Sequence, residues 1–209
     1  VISALVSWEL DAEAALLASG DDPPELEHQR ATLLAVPLFH VTGSHAVFLH
    51  SFRQQRKIVS MYKWDPEAGA GLIETERISS FIAPAAMTGD LVQTAQVSAR
   101  DLSSLMVVGG GGAPRAPQQV RQIDASFRNA LPGTGWGMTE TNALGILIGG
   151  PDYVAHPEAA GRPTPPLQEM RIVDGDGVEV PTGEIGELTV KSAANMRCYL
   201  NQPEATADT

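Results

Sequence analysis

The sequence predicts an α/β fold, in which a layered, mostly parallel sheet with flanking helices precedes the start of a small β-rich, barrel-like unit. Three observations support this prediction. Short apolar segments alternate with helical segments along most of the chain, which is typical of β-α-β units. Four consecutive glycines, at residues 109–112, directly follow one of the apolar segments. After residue 165 the helical periodicity stops and hairpin-like segments replace it.

The helices are predicted from apolar side chains at helical spacing and from cap residues. A helix over residues 3–18 carries Leu5 and Leu16 on one face and ends at the Gly-Asp-Asp-Pro-Pro sequence of residues 20–24. Asp65 before Pro66 predicts a helix start, because aspartate caps free N–H groups and proline suits the first turn. Further helices are predicted at residues 44–52, at 87–97, and in a segment with Val120, Ile123, Phe127 and Leu131 on one face.

The strands of the parallel sheet are predicted from short apolar segments that lie between the helices. These segments are residues 32–39, 57–61, 79–82 and 105–108. In the C-terminal part, residues 169–173 and 177–180 flank a turn with the sequence Asp-Gly-Asp-Gly, and residues 187–191 form another strand. The turn lacks the spaced ligands and final glutamate of a calcium loop, so a hairpin is the better interpretation.

Composition excludes several classes of function. The chain has 209 residues, of which 43% are hydrophobic, so it can form a core, and its formal net charge is −11. An acidic chain without a Lys/Arg cluster is a poor nucleic-acid binder. A single cysteine, Cys198, rules out a disulfide framework and a thiolate metal site. A cytoplasmic location fits this use of cysteine. No apolar run reaches the ~18 residues of a transmembrane segment, and no signal peptide is visible.

Both ends of the sequence are expected to lie inside a longer protein. The chain opens with Val-Ile-Ser in an apolar segment and stops at Ala-Asp-Thr without a terminating motif. The alternative is a chain that lacks only its initiating methionine. We therefore expect an α/β subdomain at residues 1–160, incomplete at its N-terminus. A β-rich subdomain at residues 161–209, incomplete at its C-terminus, is expected to follow.

Two glycine-rich segments are candidate ligand sites. Residues 109–114, Gly-Gly-Gly-Gly-Ala-Pro, let a ring or phosphate approach the backbone, although the segment alone is better explained as a strand-to-helix turn. In residues 133–141, Trp136 can stack on a flat base, Thr139 can donate to a phosphate oxygen and Glu140 can hold Mg²⁺. A tight turn capped by threonine and glutamate explains the second segment equally well.

Histidines are the remaining candidates for chemistry. His40, in the sequence Pro-Leu-Phe-His-Val-Thr-Gly of residues 37–43, ends a predicted strand and can line a cleft. A lone histidine is more often a structural residue than a catalyst. His45 and His50 are five residues apart and have no acidic partner nearby, so no metal site is predicted there.

Taken together and in order, these segments resemble the adenylate-forming superfamily, which comprises acyl-CoA synthetases, aryl-CoA ligases, luciferases and peptide-synthetase adenylation domains. The resemblance runs from about residue 34 to residue 207. Two departures are Trp136 in the usual tyrosine position and Cys198 in a usual glycine position. The matching segments are residues 37–43, 111–114, 135–140, 161–163, 171–174, 183–188 and 196–206.

The resemblance implies a fatty acyl-CoA synthetase-like ligase that uses ATP, Mg²⁺ and, as co-substrate, CoA. It implies that residues 1–160 are the nucleotide- and acyl-binding subdomain. It implies that Glu140 binds Mg²⁺, that Thr139 binds the α-phosphate and that His40 lies near the acyl carboxylate, and these three are the catalytic candidates. The acyl chain is expected to run past Gly135 and the small, apolar residues 142–149, for which ordinary core packing is an equal alternative. The implied nucleotide-binding residues are Gly111, Gly112, Ala113, Pro114, Gly135, Trp136, Gly137, Met138 and Thr139.

Other parts of the family pattern fall outside the 209 residues. The phosphate loop ending in Pro-Lys-Gly is expected before residue 1, and the Thr-Gly-Asp with the ribose-binding aspartate after residue 209. The mobile domain with the catalytic lysine would follow, so we expect this chain to be inactive alone.

The alternatives are an aryl-acid or amino-acid adenylating relative and a non-catalytic binding fragment, with a generic dinucleotide-binding domain third. An amino-acid site is disfavoured because residues 44–52 offer no aspartate. The sequence does not distinguish among acids of different chain length, between CoA and a carrier protein as acceptor, or between a monomer and a homodimer.

Overall fold

The computed structural model describes residues 1–20, 27–163 and 167–209. Its larger part is a six-stranded sheet. The strands of this sheet are β1 (Ala31–Leu34), β2 (Lys57–Ser60), β3 (Ser80–Ile82), β4 (Val107–Gly110), β5 (Leu131–Gly137) and β6 (Gly145–Gly149). They lie in the order β2-β1-β3-β4-β5-β6. All neighbours are parallel except β6, which runs antiparallel to β5. The predicted α/β fold with a mostly parallel sheet is therefore confirmed.

Helices connect and cover the strands. After β1 the chain forms a π-helix, Thr42–Leu49, which continues directly into a short α-helix. π-Helical turns are rare and are frequently found at functional sites. The α-helices are α1 (Ile2–Ser19), α2 (His50–Arg53), α3 (Pro66–Glu76), α4 (Ala85–Val97), α5 (Pro117–Ser126), α6 (Gly150–Ala155) and α7 (Pro203–Ala207). None of the helices in the described part of the chain combines the length and the apolar character needed to cross a membrane.

One apolar core joins the sheet to α3, α4 and α5. Leu33, Phe81 and Val108, from three neighbouring strands, are fully buried against Ile73 of α3 and Leu91 of α4. Each such side chain stabilises the fold by about 1.5–3 kcal/mol relative to an exposed position. The core therefore fixes the positions at which the strands end, and these ends carry the candidate site.

The start of α3 forms as its sequence predicts. The Asp65 side chain accepts a hydrogen bond of 2.8 Å from the backbone N–H of Ala68, and Pro66 occupies the first turn. Next to this helix, the Trp64 ring stacks on Phe81 with a centroid distance of 5.1 Å. Its indole N–H also donates to Asp90 at 3.0 Å. The cap satisfies a free N–H in the first turn of α3, and the tryptophan attaches the start of this helix to the core and to α4.

A separate two-stranded antiparallel sheet, β7 (Gln168–Val173) with β8 (Glu187–Ser192), follows. The hairpin turn predicted at residues 174–177 is confirmed, since Gly177 donates its N–H to the Asp174 carbonyl. The Asp174 carboxylate accepts hydrogen bonds from the N–H groups of Asp176 and Val178, so it serves the turn. Residues 177–180 return beside β7 through an isolated bridge between Val173 and Glu179 and form no strand of their own.

Several predicted boundaries were wrong. The strand predicted at residues 32–39 ends at Leu34, and residues 37–40 form a turn instead. The strand predicted at residues 105–108 begins at Val107 and continues into the glycines. The helix that was expected to include Leu131 ends at Ser126, because Leu131 pairs with Val107 in the sheet. The predicted break after the first helix, residues 21–24, lies outside the described residues.

Candidate functional site

The candidate residues lie at one edge of the sheet. His40 follows β1, residues 111–114 follow β4 and residues 138–140 follow β5. These three strands run parallel, so their carboxyl ends lie on the same side. Ligands of open α/β sheets bind outside this edge. The topology therefore gathers three segments that are far apart in the sequence.

Close approaches of the backbone place these segments against one another. A Cβ atom added to Gly112 would lie 3.7 Å from Cε1 of His40, and one added to Gly111 would lie 3.6 Å from the Gly135 carbonyl oxygen. Gly112 has a φ of +79°, a conformation that side-chain-bearing residues rarely adopt. Gly112, Ala113 and Pro114 are exposed. The structure thus brings His40, the glycine turn and β5 together around an open backbone surface.

The hydrogen bonding of the His40 ring leaves its Nε2 as the donor. Its Nδ1 accepts the N–H of Thr42 at 3.1 Å, so in the neutral ring the proton is on Nε2. The side chain is exposed and its Cε1 edge faces Gly112. A neutral His40 can therefore donate from Nε2 to an anionic ligand at this edge.

Strand β5 divides its side chains between two faces. Successive strand residues point to opposite sides, so Gly135 and Trp136 do not share a face. Gly135 pairs with Leu147 of β6, and a Cβ added to Gly135 would lie 2.5 Å from Cδ2 of Leu147. The Trp136 ring lies near Gly145, where an added Cβ would be 3.0 Å from its Cε3 atom. One face of β5 therefore presents open glycine backbone and the other presents an indole ring.

The segment after β5 forms a tight turn that presents Thr139 and Glu140. Residues Thr139–Thr141 are a single 3₁₀ turn, closed by the Met138 N–H, which donates to the buried Thr141 hydroxyl at 3.0 Å. Thr139 is exposed and Glu140 is half-buried. The turn capped by threonine is thus present, and it orients these two side chains at the sheet edge.

Glu140 is bonded to a residue 59 positions further along the chain. The Tyr199 hydroxyl donates to Glu140 Oε1 at 2.5 Å, and the Met196 N–H donates to the Glu140 carbonyl at 2.6 Å. The hydrogen bond from Tyr199 holds the pKa of Glu140 below its ordinary value and raises the pKa of the Tyr199 phenol. Glu140 is therefore ionised at neutral pH and available to a cation.

Sequence reasoning missed two residues near this edge. Tyr199 lies in a segment that matched the family pattern, but no feature of the sequence indicated its contact with Glu140. Arg115 is only 8% exposed and donates to the Gly133 carbonyl at 3.1 Å and to the Thr88 hydroxyl at 3.2 Å. Burial lowers the pKa of the Arg115 guanidinium. Arg115 thus connects the turn after β4 to β5 and α4. Arginine is usually an exposed residue, so the sequence does not indicate that this one is buried.

The donor set at this edge fits Mg²⁺ better than a metal held mainly by protein. Within residues 1–20, 27–163 and 167–209, no three His, Cys, Asp or Glu side chains gather as a metal cluster. Glu140 is thus a single carboxylate, and Mg²⁺ typically takes one or two carboxylates and completes its octahedron with phosphates and water. A nucleotide would have to supply the remaining ligands.

Two open depressions of the described surface lie away from this edge. One is on the β7–β8 ribbon, where Glu169, Arg171 and Lys191 line it. The other is lined by residues that include Arg30 and Met106, which precede β1 and β4, so it lies at the amino ends of the strands. Neither depression contains a candidate residue, and neither lies where open α/β sheets bind ligands.

Comparisons with known proteins agree with the topology. The sequence model of the family described as "AMP-binding enzyme" matches residues 10–200. The chain is 30% identical over 214 residues to 4-coumarate–CoA ligase 5 of Oryza sativa subsp. japonica, covering 96% of this chain and 38% of that protein. It is 31% identical over 197 residues to 4-coumarate–CoA ligase 2 of Nicotiana tabacum, covering 91% of this chain and 36% of that protein.

Solved structures of acyl-CoA synthetases share the fold. The N-terminal domain of FACL13 from Mycobacterium tuberculosis superimposes with a TM-score of 0.79 at 27% identity, covering 98% of this chain and 48% of that one. A fatty acyl CoA synthetase of the same organism gives a TM-score of 0.74 at 26% identity, covering 98% of this chain and 38% of that one. The chain thus spans less than half the length of these relatives.

Proposed function

The chain belongs to the AMP-binding enzyme family, and we propose that it forms part of the core of an ATP-dependent acyl-CoA synthetase, an acid–thiol ligase. The observation that carries this proposal is the convergence of His40, Gly112 and Gly135 at the carboxyl edge of the sheet, next to the turn that presents Glu140. The chain would activate a carboxylic acid as acyl-AMP only together with the parts of the family pattern outside it.

In the first half-reaction a carboxylate oxygen attacks the α-phosphorus of ATP, and pyrophosphate leaves. The acid is already ionised at neutral pH, so no general base is needed. Negative charge accumulates around phosphorus, which favours donors placed in advance. We assign Thr139 to the α-phosphate oxygens and the Nε2–H of His40 to the attacking carboxylate, since both side chains are exposed at this edge.

The adenine would lie between Trp136 and the turn formed by Gly111, Gly112, Ala113 and Pro114. The backbone of Gly137 and Met138 would also contact the nucleotide. Glu140 would hold Mg²⁺, which when bound neutralises phosphate charge. In the second half-reaction the sulfur of CoA attacks the acyl carbonyl, AMP leaves with the bonding electrons, and the thiol proton passes to solvent.

The acyl chain would occupy the glycine face of β5. Gly135 leaves room there for Leu147, whose side chain is 37% exposed and can move at its tip. An apolar strand, Gly145–Gly149, continues this face, which suits an alkyl chain. The fatty acyl CoA synthetase at 26% identity supports an alkyl acid. The 4-coumarate–CoA ligases at 30–31% identity support an aromatic acid as the second candidate.

The proposed division separates an α/β unit, residues 1–160, from a β-rich unit, residues 161–209. The six-stranded sheet lies within residues 31–149, and the β7–β8 pair within 168–192. Tyr199 and Met196, from the second unit, contact Glu140 of the first.

We place the protein in the cytoplasm, where ATP and CoA are available.

ATP–pyrophosphate exchange with a panel of alkanoic and aryl acids tests the proposal. The assay is run on the 209-residue chain, on the complete natural gene product, and on the Glu140→Gln variant of the complete gene product. Glu184→Gln is the matched control, because Glu184 is exposed on a loop that contributes no candidate residue to the site. Exchange in the natural product that Glu140→Gln abolishes, and Glu184→Gln does not, supports the proposal. If no acid gives exchange in the natural product, the enzyme assignment is wrong and a non-catalytic binding fragment is the better account.

A further inference from the structure

The hydroxyl of Tyr199 contacts the one carboxylate that the candidate metal site offers. It donates to Oε1 of Glu140 at 2.5 Å, which is the length of a strong, charge-assisted hydrogen bond. The neighbouring Met196 N–H donates to the carbonyl of the same residue at 2.6 Å. Both the backbone and the side chain of Glu140 are therefore fixed by a single segment of the chain.

That segment is itself held in place at both ends. The Tyr199 N–H donates to the Thr206 hydroxyl at 2.9 Å, and that hydroxyl donates to the Gln202 carbonyl at 2.8 Å, which ties Tyr199 to the start of α7. On the other side, the Asn142 side chain donates to the Ala194 carbonyl at 2.6 Å. Tyr199 thus lies in a segment whose backbone is held by hydrogen bonds on both sides.

A carboxylate held in this way has one oxygen engaged before any cation arrives. Oε1 of Glu140 is bonded to Tyr199, so the group is suited to bind a cation through its other oxygen alone. Mg²⁺ demands a near-ideal octahedron of six ligands, whereas Ca²⁺ accepts two oxygens of one carboxylate. Loss of a group that hydrogen-bonds to a metal ligand and orients it typically weakens metal binding by about 10- to 100-fold.

We propose that Tyr199 is a positioning residue that holds Glu140 as a one-oxygen ligand and thereby favours Mg²⁺ over Ca²⁺ at the nucleotide site. This inference rests on the proposed function, since it takes Glu140 as the residue that contacts the nucleotide-bound cation. Tyr199 does not touch the reacting atoms, and its effect passes through Glu140.

The test uses the complete natural gene product with a non-hydrolysable ATP analogue, and it measures metal binding rather than turnover. Mn²⁺ serves as the probe by electron paramagnetic resonance, and Mg²⁺ and Ca²⁺ are added as competitors. Tyr199→Phe removes only the hydroxyl. Tyr62→Phe is the control, because Tyr62 is fully exposed on a loop before α3. Analogue affinity in EDTA and the melting temperature show whether each variant keeps its fold.

Tyr199→Phe is expected to weaken Mn²⁺ and Mg²⁺ binding by about 10- to 100-fold. It should narrow the preference for Mg²⁺ over Ca²⁺ and leave the affinity for the ATP analogue in EDTA unchanged. Tyr62→Phe should change neither metal binding nor analogue affinity. In a Glu140→Gln background Tyr199→Phe should cause no further loss. An unchanged Mn²⁺ affinity, or an equal loss in the Glu140→Gln background, overturns the role of Tyr199. If Glu140→Gln itself leaves Mn²⁺ binding intact, the metal assignment in the proposed function fails instead.

Discussion

Replacing Gly145 by alanine should loosen the antiparallel pair that carries the candidate site. Gly145 begins β6 and pairs with Gly137 of β5. A Cβ atom added there would overlap the backbone carbonyl of Trp136 and lie 3.0 Å from the Trp136 ring. A carbonyl in a sheet cannot rotate away as a side-chain tip can, so the strands must separate.

The expected loss of stability follows from this overlap. Overpacking a well-packed region typically costs about 1–3 kcal/mol, and a backbone obstacle favours the upper part of that range. The buried side chain of Gln168 also donates to the Gly145 carbonyl, a hydrogen bond that displacement of β6 would weaken. We expect about 2–3 kcal/mol, which for a domain of this size lowers Tm by roughly 5–10 °C.

Urea denaturation followed by circular dichroism measures the effect. The matched control is Gly149→Ala at the other end of β6, where an added Cβ would lie 3.5 Å from the Pro132 carbonyl, an ordinary contact. The Gly149 backbone is extended, with a φ of −161°, so alanine fits there. The control should stay within about 0.5 kcal/mol of the parent or gain slightly. Equal stabilities of the two variants would refute the reasoning.

Three further changes test other parts of the structure. Asp65→Ala removes the cap that accepts the Ala68 N–H and should cost about 1 kcal/mol in urea unfolding, with Asp65→Asn near the parent value; an unchanged midpoint for the alanine variant would contradict the cap. Burial lowers the pKa of His50 from 6.5 to about 4, so the unfolded chain binds this proton first and stability falls as pH drops from 6.5 towards 4. The His50 contribution to that loss between pH 7 and pH 5 is about 2 kcal/mol, and His50→Gln should lose that part of the pH dependence; the same pH dependence in both proteins would contradict it. Leu147→Ala clears the space above Gly135 and should raise the kcat/KM of the complete natural product for bulkier acids over smaller ones by about tenfold; an unchanged ratio would place the acyl path elsewhere.

The sequence predicted the fold class well because its signals were local and strong. Asp65 and Pro66 mark a helix start by their own chemistry, and the structure has that cap. The apolar segment at residues 79–82 is short and is followed by Pro84, and it contains β3, whereas the segment predicted at residues 32–39 continues past the end of β1 at Leu34. Where a residue's neighbours in sequence decide its conformation, the prediction held.

Strands β5 and β6 could not be predicted in the same way. The sequence Leu-Pro-Gly-Thr-Gly-Trp-Gly of Leu131–Gly137 has little β-propensity, and glycine weakens a strand interior. It is extended because β4 on one side and β6 on the other supply hydrogen-bonding partners. Such pairing is a tertiary effect that no window of the sequence contains.

The candidate site was visible in the sequence only in part. His40, residues 111–114 and Thr139–Glu140 stood out together and in order, as parts of the family pattern, because each segment alone was explained at least equally well by a structural role. Tyr199 and Arg115 did not, since their roles depend on contacts with residues far away in the sequence, Glu140 for one and Thr88 for the other. That Trp136 and Gly135 point to opposite faces follows only once β5 is known to be a strand.

The most direct test of the central claim is a crystal structure of the complete natural gene product with an acyl-sulfamoyl adenosine, a stable mimic of acyl-AMP. We predict the adenine between Trp136 and residues 112–114, the sulfamoyl group within hydrogen-bond distance of Thr139, and the acyl chain beside Gly135 and Leu147. An adenine bound away from the carboxyl edge of the sheet, or an acyl chain on the Trp136 face of β5, would contradict the account.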